Sequence, residues 1–227
     1  PNTYTDVSTG ETVEVGLEGA IETTASVIDS LHGTADGRLS VSVGPSALVP
    51  EVIADGEVKS AGIDAQDSIE PGELEATERS VEQLEKVLDL AQAKDVNIQA
   101  HAYGGQVQAA ADAVPEILGP HLSLAHCAGL SDDEIELMAE NGVSASHGPL
   151  THAYARARFP LIEAMEAGVN VAVSTDGAAP DRSFDLLSQG RIAAQLQRAH
   201  FNDTGLFPHG KIIETMTIDA ARALGMA

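Results

Sequence analysis

A helix that ends in a turn and passes into a short β-branched strand occurs three times in this chain, and this repeat is the strongest constraint on its fold. The helices begin at Ser80, Ser131 and Pro160. The strands that follow them cover residues 96–101, 143–146 and 169–173. Helices alternating with strands of four to six residues predict an α/β fold with a parallel sheet. Ser131 with Glu134 three positions later further predicts a capping box at the start of the second helix.

Two more strands are predicted, over residues 122–126 and 39–43, the latter after a long helix over residues 11–31. Strand starts near 96, 122, 143 and 169 are spaced 26, 21 and 26 residues apart. Such regular spacing favours a (β/α)8 TIM-type barrel over a doubly wound sheet. The polar segment 51–72 is too long for an ordinary connection and is predicted to be a functional loop or an insertion.

Polar residues stand where four consecutive predicted strands end. They are His101, His126, Ser146–His147 and Thr175–Asp176–Gly177. The carboxyl ends of barrel strands meet on one face, which is where barrel enzymes place their active sites. Imidazole and carboxylate groups together suit a divalent zinc or iron ion. The pattern therefore predicts a metal site at these strand ends.

Four motifs, in order along the chain, carry a resemblance to a known family. They are Ile98–Ala102, Leu124–Glu134, Val171–Gly177 and Thr217–Gly225. Together they resemble the ATZ/TRZ-like members of the amidohydrolase superfamily, which include cytosine and guanine deaminases and triazine hydrolases. The resemblance covers nearly the whole chain and implies a metal-dependent hydrolase of C–N bonds in small cyclic or amide substrates.

The resemblance also implies a role for individual residues. His101 would be a metal ligand, and Asp176 would ligate the metal and accept a proton from the attacking water. His126 would stabilise hydroxide or polarise the substrate. One zinc or iron ion per full-length chain is implied. His147 and His152 are interpreted either as lining the substrate pocket or as surface histidines.

The chain departs from the family pattern in two ways. The family has a His-x-His pair on its first strand, and none of the eight histidines here are two apart. The strand over 39–43 matches the family's fourth, so residues 1–227 are interpreted as one partial barrel domain, about strands 4 to 8. Strands 1 to 3 and a flanking β-sandwich would belong to a longer protein. The absence of an initiator Met agrees with that interpretation.

The second departure is Gly104, which stands where many family deaminases have a proton-shuttling Glu. Because Asp176 alone could move protons, hydrolases that remove other groups fit equally well. These include imidazolone-type hydrolases and dipeptidases of the same superfamily. Arg156 and Arg158 are candidates for holding a substrate carboxylate, with surface solvation as the alternative.

Two other functions remain open from the sequence. One is a non-catalytic barrel module for binding or assembly that lacks a complete metal site. The other is a two-metal hydrolase with a bridging modified lysine. Lys94 is the only lysine near a strand end and stands at the wrong end of its strand, which argues against the two-metal site.

The charge excludes some partners. The chain has 35 acidic and 12 basic residues, a net charge of -23. Because such a surface repels phosphates and anionic lipids, no nucleic acid or membrane partner is predicted. Acid spread along the whole chain is typical of salt-loving organisms, where salt screens the repulsion. The single cysteine, Cys127, predicts a cytoplasmic protein, and family members suggest a homo-oligomer.

Overall fold

The computed structural model of the protein describes residues 2–5, 12–60, 74–155, 158–177 and 183–226. The strands are β1 (Asn2–Thr5), β2 (Thr12–Val15), β3 (Glu51–Ala54), β4 (Glu57–Ser60), β5 (Glu75–Ala76), β6 (Ile98–Tyr103), β7 (Leu122–Ala128), β8 (Ser144–His147) and β9 (Asn170–Val173). The helices are α1 (Leu17–Leu31), α2 (Thr34–Gly37), α3 (Glu78–Lys94), α4 (Gln106–Ala113), α5 (Asp132–Asn141), α6 (Pro149–Ala155), α7 (Leu161–Ala167), α8 (Leu186–Phe201), α9 (His209–Met216) and α10 (Ile218–Ala223).

The central sheet is parallel, with β6, β7, β8 and β9 side by side in chain order. Each crossover between them contains a helix, and parallel strands require such long connections. An unreversed order is what a barrel requires, whereas a doubly wound sheet reverses direction at its switch point. The predicted parallel α/β architecture is confirmed for this region.

The three helices predicted before β6, β8 and β9 are present as α3, α5 and α7. Ser131 and Glu134 form the predicted capping box at the start of α5. Gly142 and Gly168 follow α5 and α7 with φ of 71° and 98°, a left-handed conformation that glycine adopts without steric cost. The predicted apolar face of α3 is buried, including Leu84, Leu88 and Ala91.

The prediction of a strand over residues 39–43 is wrong in its length. Only Val43 pairs, through a single parallel bridge to Ile98 of β6. Leu39 is exposed, so most of this segment gains no burial from joining the sheet. The chain still follows β6 beyond the bridge, since the backbone N–H of Leu48 donates to the carbonyl of His101. The segment thus lies beside β6 without forming a full strand of the sheet.

Two further predictions are corrected in the N-terminal half. The helix predicted from residue 11 begins at Leu17, because the β-branched residues of Thr12–Val15 form β2 instead. Residue 11 itself lies outside the described residues. The supposedly irregular segment 51–72 begins with the hairpin β3–β4, whose turn is Asp55–Gly56 with φ of 53° and 77°. An Asp-Gly pair favours such a turn. Residues 61–73 lie outside the described part.

The C-terminal elements pack against the sheet. Helix α10 contacts the start of β9, where the Asn170 side chain donates to the carbonyl of Asp219. Asp219 is buried and forms ion pairs with Lys211 and Arg222. Within the described residues, no helix is both long and apolar enough to cross a membrane.

Candidate active site

The parallel sheet has a packed outer face and an open inner face. Ile98, Leu122 and Leu124 are fully buried in the apolar core. The alternate residues of the strands face a cavity of about 460 Å³. Its lining includes Gln99, His101, Ser123, Ala125, Ser146, Ala172 and Ser174, together with Gly44–Ser46 and the end of α10. Barrel interiors are normally filled by bulky branched side chains. Here small side chains leave the inner face accessible.

His101 lines this cavity and lies next to His126. His101 is on β6 and is exposed to the cavity. His126 is on the neighbouring strand β7 and is buried. Their ring centroids are 4.8 Å apart at an interplanar angle of 68°. Tyr103 also stacks on His126, with centroids 5.5 Å apart and rings 11° from parallel.

A β-bulge orients His126. Ala102 pairs with His126 and Tyr103 pairs with Ala128, so Cys127 is an extra residue in β7. His126 and Cys127 both have left-handed backbones, with φ of 71° and 52°. Bulges re-aim side chains near functional sites, and strained residues persist where the surroundings hold them. Nothing in the sequence pattern of β7 predicts this bulge.

Cys127 is buried and does not serve as a nucleophile. Burial raises the pKa of its thiol, so the reactive thiolate is not populated. Its Sγ donates to the Leu124 carbonyl at 3.4 Å. Cys127 thus packs as a small buried residue of the core.

Asp176 follows β9 and is held by neighbouring groups. Its backbone is left-handed with φ of 55°, and the residue is exposed. Thr151 Oγ1 donates to Asp176 Oδ2 at 2.7 Å, and the Gly177 N–H donates to Oδ1. A Cβ added at Gly148 would lie 3.2 Å from the Asp176 Cβ. Helix α6, which follows β8, carries Thr151 to Asp176.

His147 and His152 form a second part of the histidine cluster. His152 lies 5.8 Å from His126 and His147 lies 4.9 Å from His152, measured between ring centroids. His147 nevertheless lines a different cavity from His101, one of about 280 Å³ that also includes Arg158, Phe159 and His200. The reason is strand geometry, since Ser146 faces the inner cavity and the next residue faces the opposite way.

The buried imidazoles of His147 and His152 are neutral. Burial, followed by the charge of His126, lowers the pKa of His152 to about 4. Burial also lowers the pKa of His147 well below its ordinary value, with smaller contributions from His152 and His126. In the described part of the chain, neither ring nitrogen of either histidine has a hydrogen-bond partner. Buried polar atoms of this kind call for a ligand or water.

Arg158 is engaged by protein groups. Its Nη2 donates to both carboxylate oxygens of Glu163, at 2.6 and 2.7 Å, and its guanidinium lies 5.4 Å from the Phe201 ring centroid. A substrate carboxylate would therefore have to compete with Glu163. The other predicted candidate, Arg156, lies outside the described residues.

The backbone leaves no room for a side chain at position 104. A Cβ added at Gly104 would lie 2.2 Å from the carbonyl oxygen of Gly129. The Gly104 N–H also donates to the Ala128 carbonyl at 2.9 Å, which holds the two loops together. In this arrangement a Glu could not replace Gly104 without moving the backbone.

No group of three or more His, Cys, Asp or Glu side chains within the described ranges could together hold a metal ion. The two ligands implied by the resemblance lie at opposite sides of the four-stranded sheet, since His101 is on β6 and Asp176 follows β9.

Matches to known proteins support the family resemblance that the strand-end motifs carry. The model of the amidohydrolase family matches residues 14–227. A 5'-deoxyadenosine deaminase from Methanothermobacter thermautotrophicus is 29% identical over 203 residues, covering 88% of this chain and 43% of the relative. A 5-methylthioadenosine/S-adenosylhomocysteine deaminase from Desulforudis audaxviator is also 29% identical, covering 86% of this chain and 42% of its own length. The chain thus spans less than half the length of these relatives.

Solved structures show the same fold. An adenosine deaminase from Xanthomonas campestris with bound zinc aligns with a TM-score of 0.69 at 22% identity, covering 92% of this chain and 44% of that protein. An atrazine chlorohydrolase from Arthrobacter aurescens complexed with zinc gives a TM-score of 0.69 at 18% identity, covering 93% and 44%. The family match over most of the chain, together with the ordered strand-end motifs, shows that this chain belongs to the amidohydrolase family.

Proposed function

We propose that this chain is the C-terminal part of a metal-dependent hydrolase that uses a metal-activated water to hydrolyse C–N bonds of small cyclic or amide substrates. One observation carries the proposal. Consecutive parallel strands bring His101 and His126 into ring contact at the carboxyl ends of β6 and β7, and Asp176 follows the last strand of the same sheet. The names of the deaminase relatives support this reaction class.

We further propose that residues 1–227 form one partial (β/α)8 barrel, corresponding to about strands 4 to 8. The open inner cavity supports this proposal, because a closed barrel would fill that space. Among the described residues, β9 pairs only with β8, which leaves one edge of the sheet free. Strands 1 to 3, the flanking β-sandwich and the His-x-His pair would come from the rest of a longer protein.

The donor types at the site fit zinc or iron. His101 supplies an imidazole that faces the inner cavity, and Asp176 supplies an exposed carboxylate. Two donors do not complete a site, so we propose that the remaining ligands lie outside the described residues and that a full-length chain holds one ion. A bound ion would lower the pKa of water toward about 7 and make hydroxide available.

The chain's own residues would then perform the proton transfers. Asp176 accepts the proton of the attacking water, and its exposed carboxylate is accessible for this role. His126 donates a hydrogen bond to the substrate or to hydroxide from its position beside His101. Because position 104 has no space for a carboxylate, we propose that Asp176 also returns the proton to the leaving group.

Substrate contacts are proposed for His147 and His152. Their unpaired ring nitrogens can each donate or accept one hydrogen bond as neutral imidazoles, which suits an uncharged polar group. The partner is a small molecule. A cytoplasmic homo-oligomer is proposed on the basis of the single buried cysteine and the exposed sheet edge.

Metal content tests the proposal. Zinc and iron would be measured by atomic emission on this chain and on the longer protein that contains it, both purified in high salt. We expect about one ion per longer chain, and no ion on this chain alone. Stoichiometric metal on this chain would instead place the ligands among its own residues, starting with His147 and His152. Metal on neither would leave a non-catalytic barrel module.

A further inference from the structure

We propose that Thr151 is a positioning residue that fixes the orientation of the Asp176 carboxylate. The inference rests on the proposed role of Asp176 as metal ligand and base. Thr151 belongs to none of the motifs that indicate the site, and its hydrogen bond to Asp176 joins α6 to the segment after β9.

The contact itself is short and directional. Thr151 Oγ1 donates to Asp176 Oδ2 at 2.7 Å, and the Gly177 N–H donates to Oδ1. Each carboxylate oxygen therefore has a donor on a defined side. A carboxylate has about four lone-pair sites, so accepting these hydrogen bonds is compatible with binding a metal ion. Asp176 is exposed, which keeps those sites accessible.

Asp176 needs an external support. It lies on the segment after β9, with a left-handed backbone, and its side chain is not enclosed by a core. An exposed carboxylate in such a segment samples several rotamers unless a neighbour holds it. Thr151, by contrast, is 8% exposed and sits in the first turn of α6.

Helix α6, which carries Thr151, is held in place by a hydrogen bond to α8. The Leu150 N–H donates to the Gln189 side chain at 3.1 Å, and Gln189 is 1% exposed on α8. Gly148 leaves room for the Asp176 side chain, because a Cβ at position 148 would lie 3.2 Å from the Asp176 Cβ. Groups that orient a metal ligand through a hydrogen bond contribute strongly to metal affinity.

The test compares three variants of the longer protein that contains this chain, with zinc as the probe. Thr151→Val keeps the side-chain shape and removes the donor, whereas Thr151→Ser keeps the donor. Asp176→Asn serves as the benchmark. Zinc affinity would be measured by competition with a chelator, and the free energy of unfolding would be measured for every variant.

We expect Thr151→Val to weaken zinc binding by about 10- to 100-fold, the usual effect of losing an orienting partner. Thr151→Ser should restore affinity to within about threefold, because the charge-assisted bond is retained. Wild-type affinity in Thr151→Val, with Asp176→Asn impaired, would overturn the positioning role and leave the proposed function intact. Wild-type affinity in Asp176→Asn would instead remove Asp176 from the metal site.

A second measurement does not depend on metal. Crystal structures of this chain carrying Thr151→Val or Thr151→Ser would show the Asp176 rotamer directly. The carboxylate should leave its present orientation in the valine variant and keep it in the serine variant. An unchanged rotamer in Thr151→Val would contradict the inference even if no zinc binds.

Discussion

Glu134 is a buried carboxylate that joins two helices behind the site, and its replacement by alanine should destabilise the fold. The side chain is on α5 and is 2% exposed. Its Oε2 accepts the Ser131 N–H at 3.1 Å, which is the capping-box bond. Its Oε1 accepts the Val107 N–H at 3.0 Å, in the first turn of α4. Helix α4 begins directly after β6, the strand that carries His101.

The size of the effect follows from these bonds. Glu134→Ala leaves the buried Val107 N–H without its partner, which costs about 1–3 kcal/mol. Loss of the reciprocal cap on α5 adds about 1 kcal/mol. Together with the lost packing of the side chain, we expect the free energy of unfolding to fall by about 2–5 kcal/mol. Glu134→Gln should lower the free energy of unfolding by a smaller amount than Glu134→Ala. Its single side-chain oxygen can accept from only one of the two helices' backbone N–H groups, at Ser131 or at Val107.

Urea unfolding followed by circular dichroism measures the effect. Glu136→Ala is a matched control, since Glu136 is exposed on the same helix and its removal should change stability by less than about 0.5 kcal/mol. A loss in Glu134→Ala no larger than that of the control would refute the reasoning, because the carboxylate would then not be holding α4 and α5 together.

Two further predictions concern residues beside the site. The pKa of His152 is lowered from 6.5 to about 4, so as pH falls the unfolded chain binds this proton before the folded chain does. The neutral His152 imidazole therefore makes its full contribution to the free energy of unfolding above pH 6.5. That contribution, up to about 3 kcal/mol, is lost as the pH falls toward 4. The free energy of unfolding should depend less on pH across this range in His152→Asn than in the wild-type chain. Parallel pH profiles for the two proteins would contradict the lowered pKa of His152. Gly104→Ala should lower the free energy of unfolding by about 1–3 kcal/mol because its Cβ meets the Gly129 carbonyl. Gly210→Ala, where a Cβ has open space within a helix, should be neutral or slightly stabilising in the same denaturation assay, and equal effects at both positions would disprove the steric argument.

Local patterns were enough to predict α3, α5, α7 and the strands β6 to β9, but not the helices α4, α6 and α9. Helical spacing of apolar residues, the Ser131 cap and the glycines after α5 and α7 all act within a few residues of chain. The same reasoning failed where two local preferences competed or where pairing was needed. Thr12–Val15 prefers a strand although a helix follows at once, and the segment before Val43 has strand-like residues but no partner to extend its ladder.

The amino-acid sequence by itself determined which residue types stand at the strand ends, and through them the family and the class of chemistry. Tertiary structure decided how those residues are aimed. The bulge at Cys127 turns His126 toward His101, strand alternation sends His147 into a separate cavity, and helix α6 brings Thr151 to Asp176. Each of these depends on contact between segments far apart in the chain, whereas sequence periodicity reports only on neighbours within a few residues.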